Sequence, residues 1–293
     1  MTGKVLVLGG TGRLGHAVIG ELVKRDTPLE APSRLEWNLA DHATIPELVG
    51  LWKPKAIIHV AGFTDVTAAE KPEHHAMAAI LNTLVPGALA SACAEAAIPF
   101  VHVSTDYVFD GTKAKPYVED DPVHPLQVYG VTKEDGERAA LVWPQSLVVR
   151  VSTLYGRSGH GRPAYVDAIV AHARSHAAKG GGTVEVVEHP VSSPTFAGDV
   201  APALLDLLDA NVKGIVHVVN EGEASRLELA RATIELAGFA ANVDVKPRPE
   251  PAGALKRPDY SVLDTSKLHG VLGRRLPHWR DALARYLGES ERS

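Results

Sequence analysis

The chain alternates short apolar runs with longer stretches in which apolar residues recur at helical spacing. The apolar runs predict strands at residues 5–8, 56–60, 100–103 and 147–151, and helical spacing predicts helices at 14–24, 74–97 and 129–141. Strands that are apolar along their whole length and alternate with helices are typical of a parallel sheet covered on both faces. We therefore predict an α/β fold with a doubly wound parallel sheet.

The second strand of this sheet is the weakest part of the pattern. Residues 27–32 contain Pro28 and Pro32 and only one large apolar side chain, Leu29. Proline is confined to the ends, edges or bulges of strands because it cannot donate to the ladder. We expect only a short strand here.

The pattern changes after Tyr155, where glycine and charged residues become more frequent. Helices are predicted at 165–178, 199–208 and 227–237, and strands at 183–187 and 215–219. Three prolines predict an extended loop at 247–251. Residues 1–153 are therefore expected to form the sheet domain. Residues 154–293 are expected to form mainly a smaller substrate-binding lobe, with some segments returning to the sheet.

The first predicted strand runs directly into a glycine-rich loop and then into a helix. In this position glycines allow a tight turn and a close approach of the backbone to a pyrophosphate, and the helix N-terminus supplies N–H donors. A purely structural turn is the alternative, but the place after the first strand favours a Rossmann dinucleotide site. Its predicted residues are Gly9, Thr11, Gly12, Arg13, Leu14 and Gly15.

The choice of dinucleotide depends on the residues that follow the second strand. An acidic residue there would bind the ribose hydroxyls of NAD, whereas a cation would accept the 2′-phosphate of NADP. The chain offers Ser33 and Arg34, and a guanidinium can form a forked contact with a phosphate. We therefore favour NADPH, with NADH and a merely exposed Arg34 as alternatives. Asn38 and Leu39 are expected along the adenine.

Tyr129 and Lys133 are four residues apart at the start of a predicted helix, so both side chains lie on one face. This arrangement suits ketone reduction, because a tyrosine can donate the proton that the growing oxyanion needs. A neighbouring ammonium would lower the phenol pKa towards working pH and hold the nicotinamide ribose. Thr105, at the end of a predicted strand, could stabilise the developing charge.

A Tyr-x-x-x-Lys pair is weak evidence by itself, because the spacing also arises by accident. Its position is more informative. The pair opens the helix that follows the strand carrying Thr105, downstream of the glycine-rich loop. These features together predict an NAD(P)H-dependent reductase with Tyr129, Lys133 and Thr105 as its catalytic residues.

Several longer motifs resemble one family, the dTDP-4-dehydrorhamnose reductases of the extended short-chain dehydrogenase/reductase superfamily. The resemblance covers almost the whole chain and is most specific at 101–111, VHVSTDYVFDG. It continues at the glycine loop, at AGFT (61–64), at 69–70, from Pro116 to Asp121, at YGVTK (129–133), at 136–137, at SPT (193–195) and at RPDYSVLDTSKL (257–268). It implies reduction of a 4-keto nucleotide sugar, dTDP-4-dehydro-L-rhamnose to dTDP-L-rhamnose.

The resemblance also implies roles for individual residues. Tyr129 would be the proton donor and Lys133 the group that holds the cofactor. The residues that flank the cofactor would be Ala61, Gly62 and Phe63, and those near the sugar Thr105, Asp106, Tyr107 and Thr153. The chain departs from the family at Thr153, Thr67 and Pro190, where relatives often carry Trp, Asp and Gln. These departures concern the choice of sugar and leave the hydride chemistry intact.

Composition excludes several other classes. A formal net charge of -5 offers no basic surface for nucleic acid. The single cysteine, Cys93, cannot form an internal disulfide, and no signal peptide or run of eighteen apolar residues is apparent. We therefore expect a cytoplasmic protein with no membrane partner. His172 and His176 have helical spacing but no third ligand, and the acidic residue that places a metal in some relatives is unmatched around His16, so no metal is predicted.

Four further residues have structural interpretations. His102 alternates within a strand and suits a satisfied core side chain, and Glu70 and Glu137 suit carboxylates paired with cations. Asp199 heads a predicted helix and suits an N-cap.

Two other functions remain open from the residues alone. One is a non-enzymatic NADP-binding regulatory subunit, since the resemblance extends to the methionine adenosyltransferase beta subunit. The other is a sugar-nucleotide epimerase or dehydratase, which would retain its cofactor through turnover. A homodimer is the usual assembly for such folds, and we expect one here.

Overall fold

The protein is built around a six-stranded sheet in which every neighbouring pair is parallel. The structure, a computed structural model, describes residues 3–159 and 163–290. The strand order is β10-β5-β4-β3-β1-β2. The bounds are β1 Val5–Leu8, β2 Leu29–Glu30, β3 Ala56–His59, β4 Phe100–Thr105, β5 Ser146–Val151 and β10 Gly214–His217.

Helices connect these strands, and the remaining strands are short. The α-helices are α1 Arg13–Lys24, α2 Ile45–Trp52, α3 Val66–Ala69, α4 Pro72–Ala79, α5 Val85–Ala96, α6 Val128–Leu141, α7 Tyr165–Ala177, α8 Ala197–Asp209, α9 Arg226–Leu236, α10 Ser266–Leu272 and α11 Trp279–Ser290. The short strands are β6 Leu154–Tyr155, β7 Gly182–Val187, β8 Val191–Ser192, β9 Thr195–Phe196, β11 Ala224–Ser225 and β12 Val243–Arg248. A π-helical segment, Ile80–Leu84, joins α4 to α5 without a break.

Alternate residues of the strands enter two separate cores, one on each face of the sheet. Val5 and Val7 of β1 pack with α1 and α8 on one face. Leu6 and Leu8 pack with α2 and α5 on the other. Because successive strand side chains point to opposite faces, a strand buried on both sides must be apolar throughout. The predicted α/β, doubly wound parallel sheet is confirmed.

The second strand is as short as its prolines predict. Leu29 and Glu30 pair with Val5 and Leu6 of β1, and the Pro28 carbonyl accepts from Val5 N at 2.8 Å. Pro28 lies just before the strand and Pro32 after it, so neither interrupts the ladder.

The later half of the chain contributes to both the sheet and a smaller layer. Strand β10 joins β5 at the sheet edge, and α8 packs on α1. Strands β7 and β12 pair in parallel beside α7 and α9, which close their own apolar cluster.

Two local expectations are wrong. The segment 247–251 is not wholly an extended loop, because Pro247 and Arg248 belong to β12 and lie opposite Val186 and Val187 of β7. This edge position tolerates a proline. Asp199 is not an N-cap: α8 begins after Phe196 without a side-chain cap.

The carboxylate of Asp199 instead makes long-range contacts. It accepts from Asn220 Nδ2 at 2.8 Å and from Arg285 Nη2 at 2.6 Å. A cap motif depends on nearby sequence, whereas these partners are brought together only by the fold.

The helix Pro72–Ala96 is long and apolar enough, by length and composition, to cross a membrane. In this fold its second half faces the sheet. Val85, Leu89 and Cys93 are buried in the same cluster as Phe100 and Val148. An apolar core helix of this kind accounts for the pattern.

Candidate active site

The glycine loop closes against the neighbouring strand so tightly that two of its positions require glycine. Gly9 has φ +97, and a Cβ there would lie 2.6 Å from Ala61 N. A Cβ on Gly15 would lie 2.2 Å from the Gly9 carbonyl oxygen. Gly12 N donates to that same carbonyl at 3.0 Å. The loop is therefore a compact turn at the N-terminus of α1, and Gly9 and Thr11 border a cavity, as a dinucleotide site requires.

Gly15→Ala should disrupt this cradle, since the added carbon would meet backbone atoms that cannot move independently. We expect a loss of NADPH affinity of at least about tenfold together with lower stability, measured by cofactor fluorescence titration and thermal unfolding. Gly20→Ala in the same helix is the matched control, because nothing lies within 4 Å of its added carbon. It should leave binding unchanged and stabilise the helix slightly. Equal affinities for the two variants would contradict the proposed cradle.

A cavity of about 360 Å³ opens beside the loop and brings together half of the predicted cofactor residues. Its lining includes Gly9, Thr11, Arg34, Asn38, Leu39, Ala61 and Gly62. Arg34 is exposed at this position. Of the other predicted residues, Arg13 lines a separate cavity of about 470 Å³ beside α1, while Leu14 and Gly15 are buried under the loop.

Trp37 is a cavity residue that the sequence analysis missed. It lines the same space, it is buried, and its indole Nε1 has no hydrogen-bond partner within the described part of the chain. A buried, unpaired donor beside a cavity fits a polar heteroaromatic ligand such as adenine. The only sequence signal was an aromatic residue directly before Asn38.

Helix α6 brings the predicted catalytic side chains to the end of β4. The first N–H of the helix, on Val128, donates to Glu70 Oε1 at 2.7 Å, so Glu70 caps a helix instead of pairing with a cation. The Tyr129 ring meets Tyr107 edge-on, with centroids 6.1 Å apart. The Tyr129 phenol also interacts with the Thr105 hydroxyl. Tyr129 and Thr105 are therefore adjacent at the end of β4.

The protonation of Tyr129 differs from the expectation. Burial raises the pKa of its phenol and the neighbouring charge of Asp106 adds to that rise, while Thr105 lowers it. Lys133 was expected to lower the pKa, but its Nζ donates instead to the Val103 carbonyl at 2.6 Å. The phenol therefore keeps its proton and is available as a donor.

Asp106 lies behind Thr105. It is only 2% exposed. Its Oδ1 accepts from Thr105 Oγ1 at 3.1 Å, and its Oδ2 accepts from Ser152 Oγ at 2.8 Å and Ser261 Oγ at 2.6 Å. Burial raises the pKa of this carboxyl to about 6 despite these three donors. Asp106 was predicted to lie near the sugar. In the structure its carboxylate is buried behind Thr105 and accepts the hydrogen bond that orients the Thr105 hydroxyl.

Tyr107 lies near two cations from the later half of the chain, Arg226 and Arg257. Burial and the charge of Asp106 raise the pKa of the Tyr107 phenol, whereas Arg257 and Arg226, which begins α9, lower it. The Nε of Arg257 is buried and has no hydrogen-bond partner among the residues described. Sequence reasoning assigned neither arginine a role.

Thr153 connects β5 to β6 in a strained conformation. Its φ is +33, which is rare for a branched residue, and its Oγ1 lies 2.7 Å from Ser192 Oγ. Strain of this kind concentrates at functional sites. At Thr153, which was predicted near the sugar, the hydroxyl is therefore hydrogen-bonded to Ser192 of β8.

Asn82 is a further residue that the sequence analysis missed. It is fully buried in the π-helical segment. Its Oδ1 accepts a hydrogen bond from Phe63 N at 2.8 Å, and its Nδ2 donates to Phe63 O and Thr132 Oγ1, both at 3.1 Å. These bonds tie the segment 61–63, which was predicted to flank the cofactor, to the catalytic helix. A π-helical turn cannot be recognised from apolar spacing.

Glu137 is a structural carboxylate, as predicted. It makes two hydrogen bonds to Arg150, at 2.9 Å from Nε and 2.7 Å from Nη2. Among the described residues, no group of three or more His, Cys, Asp and Glu side chains is placed to hold a metal ion.

Fold and site together define the class of this protein as an oxidoreductase of the extended short-chain type. The model of the family described as RmlD substrate binding domain matches residues 3–292. The chain belongs to that family, which confirms the resemblance read from its motifs.

Relatives and solved structures agree with this assignment. The dTDP-4-dehydrorhamnose reductase of Mycolicibacterium smegmatis is 34% identical over 97% of this chain and 84% of its own. The dTDP-4-keto-6-deoxy-D-glucose reductase of Streptomyces niveus is 32% identical over 97% and 96%. The crystal structure of the Bacillus anthracis dTDP-4-dehydrorhamnose reductase in complex with NADP superposes with a TM-score of 0.90, at 26% identity over 99% of this chain and 100% of that one.

Proposed function

We propose that this protein is an NADPH-dependent reductase that converts dTDP-4-dehydro-L-rhamnose to dTDP-L-rhamnose. The observation that carries the proposal is the interaction of Tyr129 with Thr105 at the end of β4, in a fold that also has a glycine-lined cavity suited to a dinucleotide. Relatives named for this reaction, and a solved relative that holds NADP, support both the substrate class and the cofactor.

The residues divide the chemistry between them. NADPH, when bound, supplies the hydride that reduces the ketone carbon. Tyr129, kept protonated by burial, donates its phenolic proton to the ketone oxygen. Thr105 donates its hydroxyl hydrogen to that oxygen as charge develops there, in exchange for its bond to Asp106. Lys133 holds the ribose through an N–H group.

The nucleotide part of the substrate needs a cationic site, because it carries a diphosphate. Arg226 and Arg257 converge on Tyr107 beside the catalytic pair. Burial lowers the pKa of Arg226, and the nearby Arg257 adds to this effect. Two cations that repel one another in a partly buried place gain most from an anion, so we assign the diphosphate to them.

The direct test is NADPH consumption by the purified protein with two separate substrates, dTDP-4-dehydro-L-rhamnose and dTDP-4-keto-6-deoxy-D-glucose. Turnover of the first supports the proposal. Turnover of the second alone would assign the protein to the reaction named for the Streptomyces niveus relative. If the protein binds NADPH but reduces neither substrate, the proposal is overturned. Cofactor that copurifies and does not exchange would indicate an epimerase or dehydratase instead.

Arg34 is the proposed determinant of NADPH preference, because it is the cation at the rim of the cofactor cavity. Arg34→Ala should lower kcat/KM for NADPH by about 10- to 100-fold, the value of a hydrogen-bonded charge, and leave NADH kinetics nearly unchanged. Arg174 is also exposed and lies on α7, so Arg174→Ala is the control for a general effect of removing a positive charge. Equal losses with both cofactors would contradict the assignment.

Cellular location and assembly belong to the same proposal. We expect a cytoplasmic homodimer, in keeping with the free, buried thiol of Cys93, which needs no oxidising compartment. Fractionation of the source cells and light scattering of the purified protein test these two points separately.

A further inference from the structure

The ammonium group of Lys133 contacts two residues of strand β4. Lys133 Nζ donates to the Val103 carbonyl at 2.6 Å and lies 3.2 Å from His102 Nε2. The side chain is 5% exposed. An ammonium group has three N–H donors. These two contacts leave one donor for a bound ligand.

His102 is one half of a pair of nearly coplanar imidazoles that face each other edge to edge. The Nδ1 atoms of His59 and His102 are 3.0 Å apart, and the rings are tilted by only 18° with their centroids 5.2 Å apart. The two residues are direct neighbours in the register between β3 and β4, and both are fully buried. Only one hydrogen fits between two nitrogens at this distance, so the tautomers of the rings are linked.

The lysine decides which tautomers are present. An ammonium N–H can donate to His102 Nε2 only if that nitrogen offers its lone pair, so neutral His102 carries its hydrogen on Nδ1. That N–H then donates to His59 Nδ1, and His59 carries its own hydrogen on Nε2. Within the described residues this last atom has no hydrogen-bond partner. The hydrogen bonds therefore all point the same way, from Lys133 to His102 and from His102 to His59, and they end at His59 Nε2.

Burial, with the charge of Lys133, keeps both rings neutral. Burial lowers the pKa of His59 to about 3 and that of His102 well below its usual value, and the charge of Lys133 lowers both further. Burial also lowers the pKa of Lys133 to about 8, against the opposing effect of Glu137. Glu137 itself is bound to Arg150 of β5.

Two neighbouring elements bear on the position of Lys133 without binding its ammonium. On the π-helical side, the amide of Asn82 is engaged by Phe63 and Thr132. Gly136 of α6 faces the imidazole, where an added Cβ would lie 3.5 Å from His102 Nε2 and 1.9 Å from Asn82 O. The helix thus comes close enough to the strand for the contact between His102 and Lys133.

We propose that His102, supported by His59, is a positioning residue for the catalytic lysine. Its unprotonated Nε2 fixes Lys133 Nζ and stabilises the ammonium, so that the third N–H is aimed at the ribose of the dinucleotide. The proposal rests on the proposed function, in which Lys133 holds that ribose.

The first test needs no substrate. Nitrogen NMR of the protein labelled in histidine, with His59→Gln and His102→Gln used for assignment, reports the tautomer of each ring. The expected result at neutral pH is His102 with hydrogen on Nδ1 and His59 with hydrogen on Nε2. Hydrogen on His102 Nε2, or a doubly protonated ring, would overturn the proposal.

The second test uses kinetics across pH. Lys133 needs all three N–H donors of its charged form to reach the Val103 carbonyl, His102 Nε2 and the ribose. Wild-type activity should therefore fall as pH rises through about 8, where the Lys133 ammonium loses its proton. His102→Phe keeps an aromatic ring at this position but removes the nitrogen that accepts from Lys133. Loss of this acceptor destabilises the charged form of Lys133. Its alkaline limb should move about one pH unit lower, and its affinity for NADPH should fall about 10-fold or more. His102→Gln places an amide oxygen near the lost Nε2 and should recover most of both losses.

Phe100→Leu separates this role from simple packing. The Phe100 ring stacks against both imidazoles, with centroids 6.5 Å from His59 and 6.3 Å from His102. This variant should lower the melting temperature without moving the alkaline limb. A folded His102→Phe protein with the wild-type pH profile and NADPH affinity would overturn the inference. Failure of the keto-sugar to react would overturn only the proposed function, because the tautomer result stands apart from it.

Discussion

Tyr129→Phe should reduce kcat with dTDP-4-dehydro-L-rhamnose by about 100- to 10,000-fold, the usual contribution of a positioned general acid. The substitution removes only the phenolic oxygen. The edge-on contact with Tyr107 is a ring contact and remains. NADPH binding should therefore be nearly unchanged. The measurements are steady-state NADPH consumption and a fluorescence titration with the cofactor alone.

Thr105 supplies the matched control for this experiment. Thr105→Ser keeps the hydroxyl that donates to Asp106 and should keep most of the activity. Thr105→Val keeps the shape and removes the hydroxyl, and should cost about 100- to 1,000-fold in kcat. If Tyr129→Phe retained activity comparable to that of Thr105→Ser, another group would have to donate the proton, and the assignment of Tyr129 would be wrong.

The sheet and the helix that carries Tyr129 and Lys133 were predictable because each depends on short stretches of sequence. Four-residue apolar runs identify strands buried on both faces, such as Val5–Leu8. The interval between Tyr129 and Lys133 identifies one helical face. The glycine loop follows from its place after the first strand. None of these features needs a partner from elsewhere in the chain.

The missed residues act across the fold. Ser261 donates to Asp106 from 155 positions away, and Arg226 reaches Tyr107 from the second lobe. No local pattern marks such a serine or arginine. The wrong N-cap at Asp199 has the same origin, because its true partners, Asn220 and Arg285, are distant in sequence. A buried polar side chain needs a hydrogen-bond partner, and that partner can come from any part of the fold. Nearby sequence alone therefore does not predict the role of such a residue.

Glu137→Gln should destabilise the protein by about 3–5 kcal/mol, because it leaves Arg150 charged and without its carboxylate in the core. The two side chains are 4% and 2% exposed, and they form two hydrogen bonds of 2.9 and 2.7 Å. The measurement is the free energy of unfolding from chemical denaturation. Arg138→Met is the matched control on the same helix, since Arg138 is 70% exposed in its pair with Glu134. It should cost under about 1 kcal/mol.

A double variant, Glu137→Leu with Arg150→Met, distinguishes the loss of the ion pair from the cost of an unpaired charge. Replacing both partners by apolar side chains removes the buried charges together, so the double variant should be more stable than Glu137→Gln alone. Equal stability of Glu137→Gln and Arg138→Met would show that the pair contributes no more than a surface contact. Glu137 also raises the pKa of Lys133. In Glu137→Gln the ammonium is therefore lost at lower pH than in wild type, so one buried carboxylate links the stability of the sheet to the charge of the catalytic lysine.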